Sequence, residues 1–208
     1  MKRKNGTDDS ISQHDNPAVR NNVRGMEDAD LAVRAHAGDR EAFGELVARY
    51  AGQARRVARA VLGNETDADD AAQDGFLAAL RNLGRYDANR PFGPWLMRIV
   101  SNAATDRRRR RKVRATEQVP AQAPYAGPGP EELTTRREFH AALQAALATL
   151  PERRRKAVVL FDVEGYSHDE VAAILKIPVG TARSDVFHAR RALREALAGW
   201  EHLKEDMK

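Results

Sequence analysis

From Asp28 onward the large apolar residues recur at steps of three and four, and nowhere do they alternate with period two. The pattern predicts helices with one buried face and no sheet. A short helix ends near Gly38, where Asp39 can cap the next. That second helix carries the stripe Phe43, Leu46, Val47, Tyr50, Ala54, Val57 and Val61, and Gly63 stops it. Thr66 with Asp69 resembles a capping box with a shortened acid. It would open a third helix with inner face Ala68, Ala71, Ala72, Phe76, Ala79, Leu80 and Leu83. A loop over 84–93 leads to Pro94, which suits a first helical turn. The fourth helix turns Trp95, Leu96, Ile99, Val100 and Ala103 inward.

The period then breaks. Pro120, Pro124, Pro128 and Pro130, with Gly127 and Gly129, mark residues 113–135 as a flexible linker that cannot pack a core. Residues 1–27 hold few large apolar side chains and read as a disordered arm; Met26 directly precedes the first periodic segment and could be the translation start. A second helical block spans 136–200, followed by a tail over 201–208. It opens with the stripe Phe139, Leu143, Leu147 and Leu150, and Pro151 starts another helix that ends around Gly165. Ser167 and Glu170 form a capping box for a short helix through Leu175. After a turn over Lys176–Gly180, a last helix buries Ala182, Val186, Ala189, Leu193 and Leu197. Short helix, tight turn and longer basic helix is the helix-turn-helix pattern. The prediction is an all-α chain: an N-terminal domain over 28–112 and a C-terminal one over 136–200.

Composition narrows the chemistry. The absence of cysteine excludes a disulfide scaffold, a zinc ribbon and thiol catalysis. The six histidines, at 14, 36, 140, 168, 188 and 202, have no ligand spacing, and no phosphate loop or nucleophile elbow is present, so no cofactor, metal or catalytic set is expected. No run approaches the ~18 apolar residues of a membrane span, and the polar start lacks a secretory core, which predicts a cytoplasmic protein without membrane contact. Net charge is +5, but the charges are sorted. Arg107 to Arg114 holds seven basic residues in eight positions, whereas Glu65 to Asp74 holds five acids and no base. Separate basic and acidic patches suit two partners, although either patch also fits a solvated helix face.

Several segments, in order, resemble one known family. DADLAVRAHAGDREAF (28–43) is similar to the opening of the sigma-70 family in its extracytoplasmic-function group. ADDAAQDGFL (68–77) resembles that family's polymerase-binding helix, and RPFGPWLMRIVSNAATDRRRRR (90–111) its promoter-melting and minus-ten-reading helix. LPERRR (150–155), EGYSHDEVA (164–172) and VGTARS (179–184) resemble its minus-thirty-five-binding domain. The resemblance implies a bacterial transcription initiation factor that docks on core RNA polymerase, then reads and melts a two-part promoter. It also implies no third domain between the two, and an anti-sigma factor as a further partner. Two other classes stay open: a stand-alone helix-turn-helix regulator, and a sigma-like decoy that titrates an anti-sigma factor. A decoy should have lost its DNA-reading charge, which the arginine run retains.

Three surfaces follow. Asp69, Asp70, Gln73 and Asp74 share one face of the third helix, opposite its apolar stripe, and clustered carboxylates ask for a basic partner. The resemblance makes that partner the polymerase. A solvated face is the plainer alternative; a carboxylate metal site lacks the Glu-x-x-His pairs of helical di-metal bundles. For the melted minus-ten strand the candidates are Asn89, Arg90 and Phe92 before the fourth helix, and Arg98, Asn102, Arg107, Arg108 and Arg109 along it. Asn102 can read a base edge, arginines can hold phosphate or guanine, and Phe92 fits either a stacking platform or a core position. For the minus-thirty-five duplex the candidates are Arg153, Arg154, Thr181, Arg183, Ser184, Asp185, His188 and Arg191. Asp185 departs from the family, which usually places a base there; a carboxylate repels phosphate but can accept from a cytosine amino group.

Overall fold

The computed structural model describes residues 25–117 and 131–200. The expected N-terminal arm up to residue 24, the middle of the linker at 118–130 and the tail at 201–208 lie outside the described residues.

Local signals place the helix ends. Helix α1 spans Asp28–His36 and α2 spans Arg40–Leu62. The Asp39 carboxylate accepts from the Glu41 and Ala42 amides at 3.0 and 3.1 Å, and Gly63 closes α2 at φ 78°. Helix α3, Glu65–Asn82, is capped by Asn64 rather than by Thr66: the Asn64 side chain accepts from the Asp67 amide at 2.8 Å. Asparagine outranks threonine as a cap, so the helix starts earlier than expected. A 3-10 turn over Leu83–Arg85 leads to the loop before α4, Phe92–Glu117. The far end of α4 runs through 113–117 because arginine and alanine favour helix and no breaker intervenes before Pro120. Helix α5, Glu131–Thr149, likewise includes residues 131–135, so helices cover both ends of the expected linker.

In the second block α6, Glu152–Val158, widens into a π turn over Val159–Val163, two residues short of Gly165. Helix α7, His168–Leu175, has the predicted Ser167–Glu170 capping box, with Lys176 left-handed after it at φ 54°. Helix α8 is Val179–Ala196. Among the described residues the regular elements are all helical, as the periodicity predicts.

Leu31, Leu46, Val57, Val61, Phe76, Leu96, Met97 and Val100 form the buried centre of the N-terminal bundle. Helices α3 and α4 approach closely at Gly75, where a Cβ would stand 2.8 Å from Val100 Cγ2. Leu80, expected inside, is 41% exposed, whereas Gly75 is buried on the inner face. The same apolar cluster continues into Leu160, Tyr166, Val171 and Ile174 of the second block, so the two bundles pack against each other. Polar links cross that boundary. Arg56 on α2 donates to both oxygens of Glu164 at 2.7 and 2.8 Å, and the Tyr166 hydroxyl donates to Gln53 at 2.9 Å. No helix among the described residues is long and apolar enough to cross a membrane.

Candidate nucleic-acid interface

The acidic face of α3 forms as expected: Asp69, Asp70, Gln73 and Asp74 are all exposed. Asp69, Asp70 and Gln73 border a groove of about 460 Å³ between α2 and α3 whose apolar lining includes Phe43, Val47, Phe76 and Leu77. The carboxylates are not, however, without bases. Arg107 on α4 bonds Asp70 and lies 3.4 Å from Asp67 and 3.5 Å from Asp74. Arg111 reaches Asp67 at 3.0 Å, and Arg55 reaches Asp69 at 3.1 Å. Hydrogen bonding from Asn64, aided by Arg107 and Arg111 against some burial, holds the Asp67 carboxyl below its ordinary range. Arg107 therefore does not stand with Asn102 and Arg109 on the outer side of α4. The helical phase of α4 points it at α3, where it ties the end of the long helix to the bundle.

The minus-ten candidates divide. Asn102 and Arg109 stand exposed on the outer side of α4. Arg108 is exposed but donates to Glu152 of α6 at 2.8 Å. The adjacent Thr105 hydroxyl lies 3.1 Å from the same carboxylate and accepts from Lys156 at 3.1 Å. Burial raises the Glu152 carboxyl, but its bonds with Lys156 and Thr105 and the Arg108 charge outweigh that and leave it lowered. Arg155, beside this group, is only 7% exposed, and its Nε has no hydrogen-bond partner among the described residues.

In the preceding loop Asp87 accepts from the Asn89 amide at 3.0 Å and pairs with Arg90 at 3.4 Å. Phe92 is core, not an outward platform: it is 2% exposed and packs with the rings of Tyr50, Tyr86 and Trp95 at 5.3–5.6 Å. Its apolar neighbours give it more burial than the loop surface could. Trp95 and Tyr86 instead line a cavity of about 390 Å³ together with Arg85, Arg90 and Arg98. The opposite wall comes from α7, through Asp169, Glu170 and Ala173.

On α8, Arg183, Ser184, His188 and Arg191 are exposed and Thr181 is partly so, as the inner stripe predicts. Arg191 pairs with Glu195 at 2.9 Å. Asp185 corrects the expectation. It is 3% exposed, on the inner stripe with Ala182, Val186 and Ala189, and so does not face outward. Its carboxylate takes two bonds from Arg153, at 2.5 and 3.2 Å, and lies 3.6 Å from Arg154. The spacing from Ala182 to Asp185 and on to Ala189, three and then four residues, is the signal that places it inside. The residue that sequence reasoning misses on this face is Phe187, 64% exposed beside His188.

Comparison with known proteins matches two segments of the chain. Residues 46–114 match the family model of Sigma-70 region 2, and residues 140–193 that of Sigma-70, region 4. The chain is 39% identical over 170 residues to the ECF RNA polymerase sigma factor SigM of Mycobacterium tuberculosis, covering 82% of this chain and 84% of that protein. It is 33% identical to the ECF RNA polymerase sigma factor SigW of Bacillus subtilis, covering 77% and 91%. Among solved structures it resembles CnrH in complex with the cytosolic domain of CnrY, with a TM-score of 0.62 and 33% identity over 83% of this chain and 97% of that one. With the matched segments falling on the bundle that carries the acidic groove and on the helix-turn-helix, the chain belongs to the sigma-70 family as an ECF sigma factor, an alternative sigma factor of transcription initiation.

Proposed function

We propose that each surface has one task. The groove beside Asp69, Asp70, Gln73 and Asp74 docks core RNA polymerase, with Leu77 and Phe76 supplying apolar contact and the rim carboxylates meeting basic side chains. The outer side of α4, through Asn102, Arg108 and Arg109, holds the melted minus-ten strand. The Tyr86–Trp95 cavity, edged by Arg90 and Arg98, receives an unstacked base. Helix α8, through Thr181, Arg183, Ser184, His188 and Arg191, enters the minus-thirty-five major groove, with Arg153 and Arg154 on the flanking phosphates. The observation that carries this reading is a cavity lined by Tyr86, Trp95 and Arg98, with Asn102 exposed four residues beyond Arg98 on the same helix, an arrangement of rings and cations that suits capture of single-stranded DNA.

The chain performs no bond chemistry of its own in this reading. Unpairing costs about 1.4 kcal/mol per base step, and contacts to the displaced strand and the duplex offset it while the polymerase does the synthesis. Both DNA sites act together through one scaffold, so each can be weak. Solved sigma factors related to this one are held in complexes, CnrH with CnrY and RpoE with the anti-sigma factor NepR. An anti-sigma factor is the corresponding partner here.

Run-off transcription with core polymerase and genomic fragments tests the reading. Asn102→Ala with Arg109→Gln should leave co-purification with the polymerase intact and abolish permanganate reactivity at promoter thymines. Normal melting by that variant would make the ridge a solvated face. Specific duplex binding that is unaffected by the polymerase would favour a stand-alone regulator.

A further inference from the structure

The N-terminal turn of α6 sorts its charges by side. Glu152 and Lys156 turn toward α4, where they meet Thr105 and Arg108. Arg153 and Arg154 turn the other way, toward α8, and both meet the buried carboxylate of Asp185. The Asp185 side chain is 4% exposed, whereas those of Arg153 and Arg154 remain 56% and 40% exposed. Arg153 engages Asp185 through Nε and one terminal nitrogen, which leaves its other edge toward solvent. A guanidinium fork gripped on one edge keeps donors on the other and loses little further rotamer freedom when an anion arrives. The cluster of two arginines and one carboxylate still carries net positive charge.

We infer that Asp185 is a positioning residue for duplex recognition: from inside the domain it holds the Arg153 and Arg154 forks beside the recognition helix, aimed at DNA backbone phosphates. The inference rests on the assignment of α8 to the minus-thirty-five duplex. It reverses the sign that charge alone would give. A plain acid near DNA weakens binding, so its removal should help; a carboxylate that orients two cations should hurt when neutralised.

The test uses the full chain assembled with core polymerase and a duplex carrying a minus-thirty-five element selected by the wild-type holoenzyme, titrated at several salt concentrations. Asp185→Asn keeps the size and removes the charge. It should raise the Kd about ten-fold and flatten the plot of log K against log salt by about 0.9 for each phosphate that is no longer neutralised. Arg153→Gln with Arg154→Gln should do the same, and adding Asp185→Asn to that pair should cost nothing more, because the carboxylate acts only through the two arginines. The two glutamine variants lie at exposed positions and keep the test available should Asp185→Asn fail to fold. Tighter binding and a steeper salt slope in Asp185→Asn would overturn the inference, as would an additive loss in the triple variant. Arg183→Gln reads the underlying assignment separately: unchanged duplex affinity there would remove α8 from the DNA, and the inference with it.

Discussion

Phe92 and Phe187 are the same side chain in opposite settings. Phe92 is enclosed by three aromatic rings, whereas Phe187 stands on α8 with most of its surface in water. Truncating Phe92 to alanine removes a core ring and should lower unfolding stability by about 3–5 kcal/mol, measured by urea titration. Phe187→Ala should leave stability unchanged and, with α8 in the major groove as proposed, weaken duplex binding, since an exposed ring beside His188 can cover a thymine methyl. The sequence alone leaves Phe92 open to either use and does not single out Phe187. Helical spacing gives the facing of a residue inside a long helix, but Phe92 begins its helix, where the loop decides which way the ring falls. Asp185 is legible by spacing, since its phase points inward; only its charge argues for the outer face. Arg107 differs again: its partners lie on another helix, and pairing between elements is not written in local pattern.

At the scale of elements most of the fold is legible in the sequence. The stripes of α2 and α8, the stop at Gly63 and the Ser167 capping box stand where periodicity and cap chemistry put them. The linker bounds do not, because proline and glycine content marks where helices cannot run and is silent about how far their neighbours extend. The turn of the helix-turn-helix contains an element-level strain. Lys176 occupies the left-handed position that closes α7, where a Cβ costs about 1–2 kcal/mol and glycine is usual. Lys176→Gly relieves that cost and gives back part of it as unfolded-state entropy. The expected net gain is about 0.5–1 kcal/mol, or about 2–4 °C in Tm per kcal/mol for a chain of this size, read by thermal denaturation.

For the whole molecule, the packing of the two bundles sets a condition on function. Glu152 holds Arg108 and Thr105, and Asp169 and Glu170 wall the aromatic cavity, so the C-terminal bundle stands on the surface proposed for single-stranded DNA. Arg108, Arg155 and Lys156 gather around Glu152, so removing its charge leaves three cations facing one another. Glu152→Gln with Glu164→Gln should loosen the packed arrangement, each charged hydrogen bond removed being worth about 1.5–3 kcal/mol, and should raise the radius of gyration in solution scattering. Acid should act similarly. The Glu152 carboxyl is lowered in the packed form, so its contribution is complete above its ordinary value of 4.5 and is lost as pH falls through the lowered one. Expansion on acidification below pH 4.5 that weakens in Glu152→Gln would show this. The length of α4 has a further consequence once the bundles part. Its 26 residues make a rod of about 39 Å, and from its tip the chain has only residues 118–130 with which to reach α5. Thirteen residues fully extended cover no more than about 45 Å. A parted bundle then stands no farther than that from the tip of α4, and with α8 on the duplex as proposed, a minus-thirty-five sequence beyond that radius is out of range however well α8 fits it.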